Sequence, residues 1–507
     1  MKLNHIYKSI ACGVLLAMTA TSCDLDYNPV DTYSDVTEGV NKTDEKPIFN
    51  SVQDVETSMV TLHKKFRDQQ EHWYVDKLLI GDAHSDNAYA GTTGAEVVPY
   101  ETNSIEGSNS VLKRDWDRFL GDIAVANRII VGCDQLKALS ESERGKYQSQ
   151  AKIFRAMVMF DMVRLWGNFP VITTVGGDIT EDNVEEMYPT YFPPQNTAEE
   201  AYAQIEKDLT EAVENPNTPT NDTSDKSILT KSVARAMLAK VYAEKPLRDY
   251  AKVIKYADEL AADGFDLVED FSDLWAYDTE KKDCRVRNTK EAILEAHFPP
   301  GSGNWCTWMF GRNLSNWDES FTWAKWITPS RDLIRLYEEQ GDTKRYNESV
   351  VWYDCGWSNY YPDHYAFMYK CRSAFNSIIY LRYADILLLK AEAKIMGEAP
   401  DLNGAADIID RIRNRAGLGK LPQSTRSSKE ALLQAYMDER RMELAFEGQR
   451  WYDLCRLNKV EEVMNAVYAK DSGRHAQENL FNENSYLLAI PQGAIDQNEN
   501  LIQNPGY

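Results

Sequence analysis

Tyr383-Ala384-Asp385-Ile386-Leu387-Leu388-Leu389-Lys390-Ala391-Glu392-Ala393, followed by Ala405-Ala406-Asp407-Ile408-Ile409-Asp410-Arg411-Ile412 and closed by Gly417, decides the fold class. In both runs apolar residues recur three and four positions apart, the spacing of one helix face. Alanines stand where two helices must approach closely, and the glycine stops the second run. The same pattern recurs along the chain. Trp116, Phe119, Ile123, Ala126, Ile129 and Ile130 lead into Ile153, Phe154, Met157, Phe160, Met162, Val163 and Trp166, stopped by Gly167 and Pro170. Val233, Ala234, Ala236, Met237, Leu238, Val241 and Tyr242 lead into Tyr250, Ala251, Val253, Ile254, Ala257 and Leu260, ending at Gly264. A fourth pair is expected over 431–444 and 450–467. Later pairs take roughly thirty residues or slightly more, the tetratricopeptide period, and such units bury their apolar faces only by stacking on one another. The sequence therefore predicts an all-α-dominated, tetratricopeptide-like helical repeat scaffold.

Residues 265–375 interrupt that periodicity. Pro299, Pro300, Gly301, Gly303, Asn304 and Gly311 mark loops. Seven of the 12 tryptophans lie between 305 and 357, with Tyr360, Tyr361, His364 and Tyr365 close behind, so this stretch reads as a loop-rich, aromatic insertion suited to binding. The expected organisation is a signal peptide at 1–22, a lipidated tether at 23–50, and one domain. Its N-terminal helical part is 51–264, its ligand-binding insertion 265–375 and its C-terminal helical part 376–507.

The chain has 507 residues, 43% of them hydrophobic, enough for a large core. Its 79 acidic residues against 56 basic ones give a net charge of -23, which repels phosphate backbones and argues against a nucleic-acid partner. Lys2 and Lys8, the apolar run from Ile10 to Ala20, and Ala20-Thr21-Ser22 before Cys23 read as a secretory signal. Small residues followed by Cys23 look like a bacterial lipobox, with Ala20 where many carry leucine; lipid on Cys23 would anchor the protein to a membrane surface without crossing it. The remaining cysteines after the leader are Cys133, Cys284, Cys306, Cys355, Cys371 and Cys455, with no C-x-x-C pair. A disulfide among Cys284, Cys306, Cys355 and Cys371 is open, and burial as small hydrophobes is the favoured reading.

The C-terminal third carries a family resemblance. Leu381-Arg382-Tyr383-Ala384-Asp385-Ile386-Leu387-Leu388 resembles a conserved helix of SusD/RagB-like outer-membrane lipoproteins, and Glu439-Arg440-Arg441-Met442-Glu443-Leu444-Ala445-Phe446-Glu447-Gly448-Gln449-Arg450-Trp451-Tyr452-Asp453-Leu454 resembles their signature. Gln449 and Cys455 replace the usual histidine and arginine. Ile490-Pro491-Gln492, Asn500-Leu501 and Gln503-Asn504-Pro505-Gly506-Tyr507 are similar to the family's ending, and the segment from Phe154 to Gly167 fits as well. The resemblance implies a non-catalytic protein, lipid-anchored in the outer membrane and facing the cell exterior. Such proteins bind oligosaccharides, in some cases peptides, and lie over a SusC-like TonB-dependent transporter. Arg440, Glu443, Glu447 and Arg450, spaced three, four and three apart, are expected to share one face of a near-continuous helix as an ion-pair ladder, structural rather than catalytic.

No H-E-x-x-H, G-x-S-x-G or G-x-x-x-x-G-K-[ST] occurs, and no metal or cofactor is expected. A glycosidase needs only two carboxylates, so composition leaves that class open while the resemblance argues against it. Sugars rest their C–H faces on flat rings and pair their hydroxyls with amides and charged groups. Trp305, Trp308, Trp317 and Trp323, with Asn304, Arg312, Asn313, Asn316 and Asp318, supply both kinds of group. A second candidate loop holds Asp82, His84, Ser85, Asp86, Asn87 and Tyr89, with Trp73 and Tyr74 upstream. Trp116, Trp166, Trp326 and Trp451 read as core. Peptide capture for a RagA-like transporter is the alternative; it predicts less ring surface than this insertion carries.

Overall fold

The computed structural model describes residues 47–91, 94–177, 183–278, 280–298, 303–304, 326–354 and 364–507. The leader, Cys23 and most of the tether lie outside them. Helix α1 (Val52–Asp68) is started by a capping box in which Ser51 and Asp54 bond each other's backbone, and it buries Val55, Met59, Leu62 and Phe66. Helices α2 (Ser110–Gln135) and α3 (Glu141–Trp166) follow; Ser140 and Glu143 cap α3, and Gly167 at φ +68° ends it. Next come α4 (Ala198–Glu214), α5 (Lys231–Ala243) and α6 (Tyr250–Ala262), and each of α2 to α5 packs on its successor.

The chain then leaves the stack, forming α7 (Arg331–Gln340) and α8 (Thr343–Ser349) on its way through the insertion. It rejoins at α9 (Tyr383–Met396), which packs directly against α6, followed by α10 (Leu402–Arg415) and α11 (Lys429–Glu443), both packed on α9. The repeat stack is therefore continuous in space although interrupted in sequence. Helix α1 packs on α2 and α3 outside the expected pairs, and α4 supplies the partner that α5 has on its other side.

The expected fourth pair takes a different form. Helix α11 packs on α9 and α10, and the chain beyond it turns through Phe446 (φ +61°) and Gly448 (φ +69°). Helices α12 (Arg450–Arg456) and α13 (Val460–Lys470) are then separated at Asn458, with φ +55°. The ladder over Arg440, Glu443, Glu447 and Arg450 does not form either, because its members stand on three different segments and each pairs elsewhere. Glu443 receives Arg345 at 3.0 Å, Arg382 at 2.6 Å and Arg415. Glu447 receives Arg382 and Lys370, both at 2.6 Å, while Arg440 reaches Asp453 at 2.6 Å and Asp385 at 2.7 Å. Arg450 pairs with Asp86 at 2.7 Å. The network is structural, and it ties the signature to the rest of the molecule. Burial works to raise the Glu443 carboxyl, but Arg415, Arg382 and Arg345 outweigh it and hold the group well below the ordinary carboxylate range.

Strands are short, and among the described residues every sheet has two of them. β1 (Ala88–Ala90) runs antiparallel to β3 (Ile327–Pro329), with Tyr89 opposite Thr328. β2 (Ala292–Ala296) pairs with β6 (Ile378–Arg382) across register shifts. β4 (Val350–Asp354) pairs with β5 (His364–Met368), placing Trp352 opposite Ala366 and Asp354 opposite His364. One apolar cluster runs from Phe49 to Leu501 and takes in Trp116, Trp166 and Trp451, while Trp326 packs against it half-buried. Cys133 is buried, and burial pushes its thiol up to about 12. The Cys284 thiol bonds the Phe375 carbonyl and accepts from the Ser377 N–H, at 3.3 and 3.1 Å, whereas Cys306 and Cys355 lie outside the described residues.

Gly81 and Gly448 bring two backbones into contact: a Cβ on Gly81 would stand 2.3 Å from the Gly448 carbonyl carbon. Gly81→Ala must force these segments apart, so we expect a loss of about 1–3 kcal/mol, the usual range for overpacking. Urea unfolding checks it; an unchanged midpoint would mean the contact yields freely.

Candidate functional site

A cleft of about 500 Å³ opens where α7, α8, β4 and the end of α13 meet. Arg331, Ile334, Arg335 and Glu338 line it from α7, spaced along one face. Tyr346 of α8 and Trp352 of β4 form the aromatic wall, His364 of β5 stands beside them, and Lys470, Asp471 and Ser472 close the far side. The Trp352 ring is fixed from behind: its Nε1–H donates to the Tyr346 hydroxyl at 2.7 Å. The His364 ring lies 6.3 Å from it, edge-on, and His364 Nε2 is 3.3 Å from Asp354 Oδ1. Two further segments adjoin this region at their described ends, one holding four tryptophans and the other Trp357 alone. Residues 355–363 join β4 to β5, and residues 305–325 lead through Trp326 into β3 and thence into α7.

The floor of the cleft is made by residues far away in sequence. The Tyr89 hydroxyl accepts from the Arg331 backbone N–H at 2.7 Å and donates to Asp471 at 2.6 Å. Burial, followed by the Asp471 charge, pushes the Tyr89 hydroxyl far up, which keeps it a donor. Beneath it, Ser330 donates from its backbone to the Asn87 carbonyl at 2.9 Å and from its hydroxyl to the Asp86 carbonyl at 2.7 Å. Arg441 bridges Asn87 Oδ1 and Asp332, both at 2.9 Å, and Arg450 binds both Asp86 oxygens at 2.7 and 2.9 Å. Asp82 accepts from Asn87 and from the backbone of Phe446 and Gly448, and burial raises its carboxyl to about 6.

A larger groove of about 960 Å³ lies near the C-terminus, but its amides bind the chain itself. Asn103 donates to the carbonyls of Asn479 and Leu480, and Gln503 bonds Ile490 through both its oxygen and its nitrogen. The smaller cleft sets a held tryptophan ring among charged side chains. Among the described residues no cluster of metal-ligand type occurs, and no helix is long and apolar enough to cross a membrane.

Two family models match this chain, the SusD family over residues 291–507 and a SusD-like family described as starch-binding associating with outer membrane over residues 33–243. The chain belongs to the SusD/RagB-like family. It is 26% identical to the SusD-like protein P2 of Formosa agariphila over 471 residues, covering 85% of this chain and 87% of that one. Its fold is that of surface glycan-binding protein A from Bacteroides fluxus, at a TM-score of 0.71 and 20% identity over 90% of this chain and all of that one. It is likewise that of surface glycan-binding protein A from Bacteroides thetaiotaomicron in complex with laminarihexaose, at a TM-score of 0.70 and 17% identity over 89% and 99%. The helical repeat expectation is the SusD-like fold.

The residues expected to touch ligand divide into three groups in this SusD-like chain. Trp305, Trp308, Asn313, Trp317 and Trp323 lie outside the described residues. Asn304 is buried, donating from its backbone to the Ala374 carbonyl at 3.0 Å and from Nδ2 to the Asn376 carbonyl at 3.2 Å. Asp86, Asn87, Tyr89 and Trp73 are corrections: all four are at most 2% exposed, the first three lying beneath the cleft and Trp73 in the core away from its lining. Trp73 donates to Asp122 at 3.0 Å and packs at 4.5 Å against the Phe66 ring. Their polar and aromatic character serves internal pairing, which a loop composition does not reveal. Arg331, Arg335, Tyr346, Trp352 and Lys470 are among the site-lining residues that sequence reading did not single out. Trp352 was within reach as one of the clustered tryptophans, whereas Lys470 ends a distant helix and carries no local signal.

Proposed function

We propose that this SusD-like protein is a cell-surface, outer-membrane lipoprotein, anchored through Cys23, that binds oligo- or polysaccharide without catalysis and delivers it to a SusC-like TonB-dependent transporter. The observation that carries the saccharide reading is the Trp352 ring, held by Tyr346 at the wall of a cleft lined with charged side chains. A flat ring takes the C–H face of a sugar while neighbouring charged and polar groups take its hydroxyls. The laminarihexaose bound to the Bacteroides thetaiotaomicron neighbour supports the same ligand class. Trp305, Trp308, Trp317 and Trp323, with Asn313, are assigned to the same binding surface, since their segment continues through β3 into α7, which lines the cleft. Weak affinity suffices, because a tether beside the transporter raises the effective concentration of captured ligand.

The test is calorimetric titration of purified protein against a polysaccharide panel with casein peptides as control, repeated with Trp352→Ala. Loss of the stacking ring is expected to weaken glycan binding about tenfold, in line with an aromatic contact worth about 1–1.5 kcal/mol, with the circular dichroism of the folded protein retained. Glycan binding indifferent to Trp352→Ala sinks the site, binding of peptides alone sinks the ligand class, and release of reducing ends from any polysaccharide sinks the non-catalytic reading.

A further inference from the structure

In a chain of net charge -23, three cations gather at this cleft. Arg331 and Arg335 stand one turn apart on α7, and Lys470 faces them from the end of α13. Of the acids nearby, Asp471 is committed elsewhere and Asp332 is shared. Asp471 accepts from the Tyr89 hydroxyl and the Gly473 N–H and stands 3.8 Å from Arg474. Asp332 is divided among three cations: Arg441 at 2.9 Å, Lys470 at 2.8 Å and Arg335 at 3.5 Å. The side chain of Asp332 is 7% exposed, whereas those of Arg335 and Lys470 are 46% and 58% exposed. Both reach the same Asp332 oxygen, so two half-exposed cations converge at the cleft on one buried carboxylate that already serves a third. Glu338, one turn further along α7, is the remaining acid of the lining, and His364 has Asp354 as its own partner.

We infer that the cleft selects an oligosaccharide bearing anionic groups, its sugar ring on Trp352 and its anion between Arg335 and Lys470. This rests on the saccharide reading of the cleft. Arginine presents parallel donors that match a carboxylate or a sulfate equally, and lysine adds a compact charge to either. A uronate and a sulfate ester share this chemistry. Partial desolvation in a cleft with one aromatic wall strengthens such contacts over those on open surface.

Purified protein is titrated with an oligogalacturonide, a carrageenan-type sulfated oligosaccharide, laminarihexaose and polyglutamate, at low and high salt. At least one anionic oligosaccharide is expected to bind about tenfold more tightly than laminarihexaose, the size of one charge-assisted contact, with an advantage that falls as salt rises. Which of the two binds tells uronate from sulfate. The double variant Arg335→Gln/Lys470→Gln is expected to remove that advantage at an unchanged thermal midpoint, and Arg335→Lys/Lys470→Arg to retain most of it. Equal affinity for laminarihexaose and the anionic sugars, all weakened by Trp352→Ala, overturns the anionic preference and leaves the saccharide reading standing. An anionic advantage that survives Arg335→Gln/Lys470→Gln overturns the assigned anion site. Binding of no saccharide, or of polyglutamate in its place, overturns both readings.

Discussion

Glu443→Ala is expected to lower the unfolding free energy by about 3–5 kcal/mol, the cost of removing one partner from a buried ion cluster. Arg345, Arg382 and Arg415 converge on this carboxylate, and all four side chains are at most 4% exposed. Arg382 and Arg415 also share Glu291, at 2.8 and 2.6 Å, and Arg382 reaches Glu447, so the remaining acids are already paired. Without Glu443, positive charge is left in an interior that water does not reach. The loss is larger than truncating an apolar side chain of the same size would give, because buried guanidinium groups retain their desolvation penalty and lose their compensation. Urea unfolding of the parent and of Glu443→Ala and Glu443→Gln measures it. A midpoint unchanged in both variants would show that the network contributes nothing to stability. Because Arg345 precedes the stack's return at α9, Arg382 begins that return and Arg415 ends α10, the substitution acts on the junction that keeps the repeat array continuous.

Asp86→Asn is expected to be destabilising by a similar amount, about 3 kcal/mol or more at neutral pH, and its effect carries a pH signature. Burial opposes ionisation of Asp86, but Arg441, Arg450 and the more distant Arg474 outweigh it and hold the carboxyl far below the ordinary carboxylate range. A group whose folded-state pKa is depressed binds its proton more readily in the unfolded chain. Its stabilisation is therefore present above the unfolded carboxylate value of about 4 and is lost as pH falls below that value. Asp385, held down by Lys240 and Arg440, has the same sign. Asp82 has the opposite one: pushed up to about 6, it weakens the fold progressively as pH rises from about 4 through about 6. The parent's stability should fall steeply on acidification below about pH 4, and Asp86→Asn should flatten part of that slope while lowering the plateau. A variant whose acid slope matches the parent's would show that Asp86 is not held ionised by its arginines. The backbone of Asp86 and Asn87 also positions Ser330 at the start of α7, so the variant should bind saccharide more weakly, linking the buried hub to the cleft.

The helices were legible because their information is local. Tyr383 to Ala393 and Ala405 to Ile412 carry their periodicity within a few turns, and the boundaries near Gly167, Gly264 and Gly417 are written in single residues. The fully buried Trp166 and Trp451 were readable for the same reason, as rings on an apolar helix face. Reading failed where a residue's direction depended on partners distant in the chain. Asp86, Asn87 and Tyr89 have the polar composition of a ligand loop, yet Arg450 lies 364 positions from Asp86 and Asp471 382 positions from Tyr89. The spacing of Arg440, Glu443, Glu447 and Arg450 suggested one helical face, and two positive-φ residues, Phe446 and Gly448, send them to separate partners.

By itself the sequence determined the repeat architecture, the placement of the aromatic insertion between two helical parts and the family signature, because each follows from side chains that are neighbours along one element. Only the tertiary structure decided that α6 and α9 close the stack across the insertion, that the 82–90 segment is a buried clamp, and that Trp352, Arg335 and Lys470 share a cleft. Those outcomes depend on charge pairing and close packing between elements that are remote in the chain, and such pairings leave no periodicity to read.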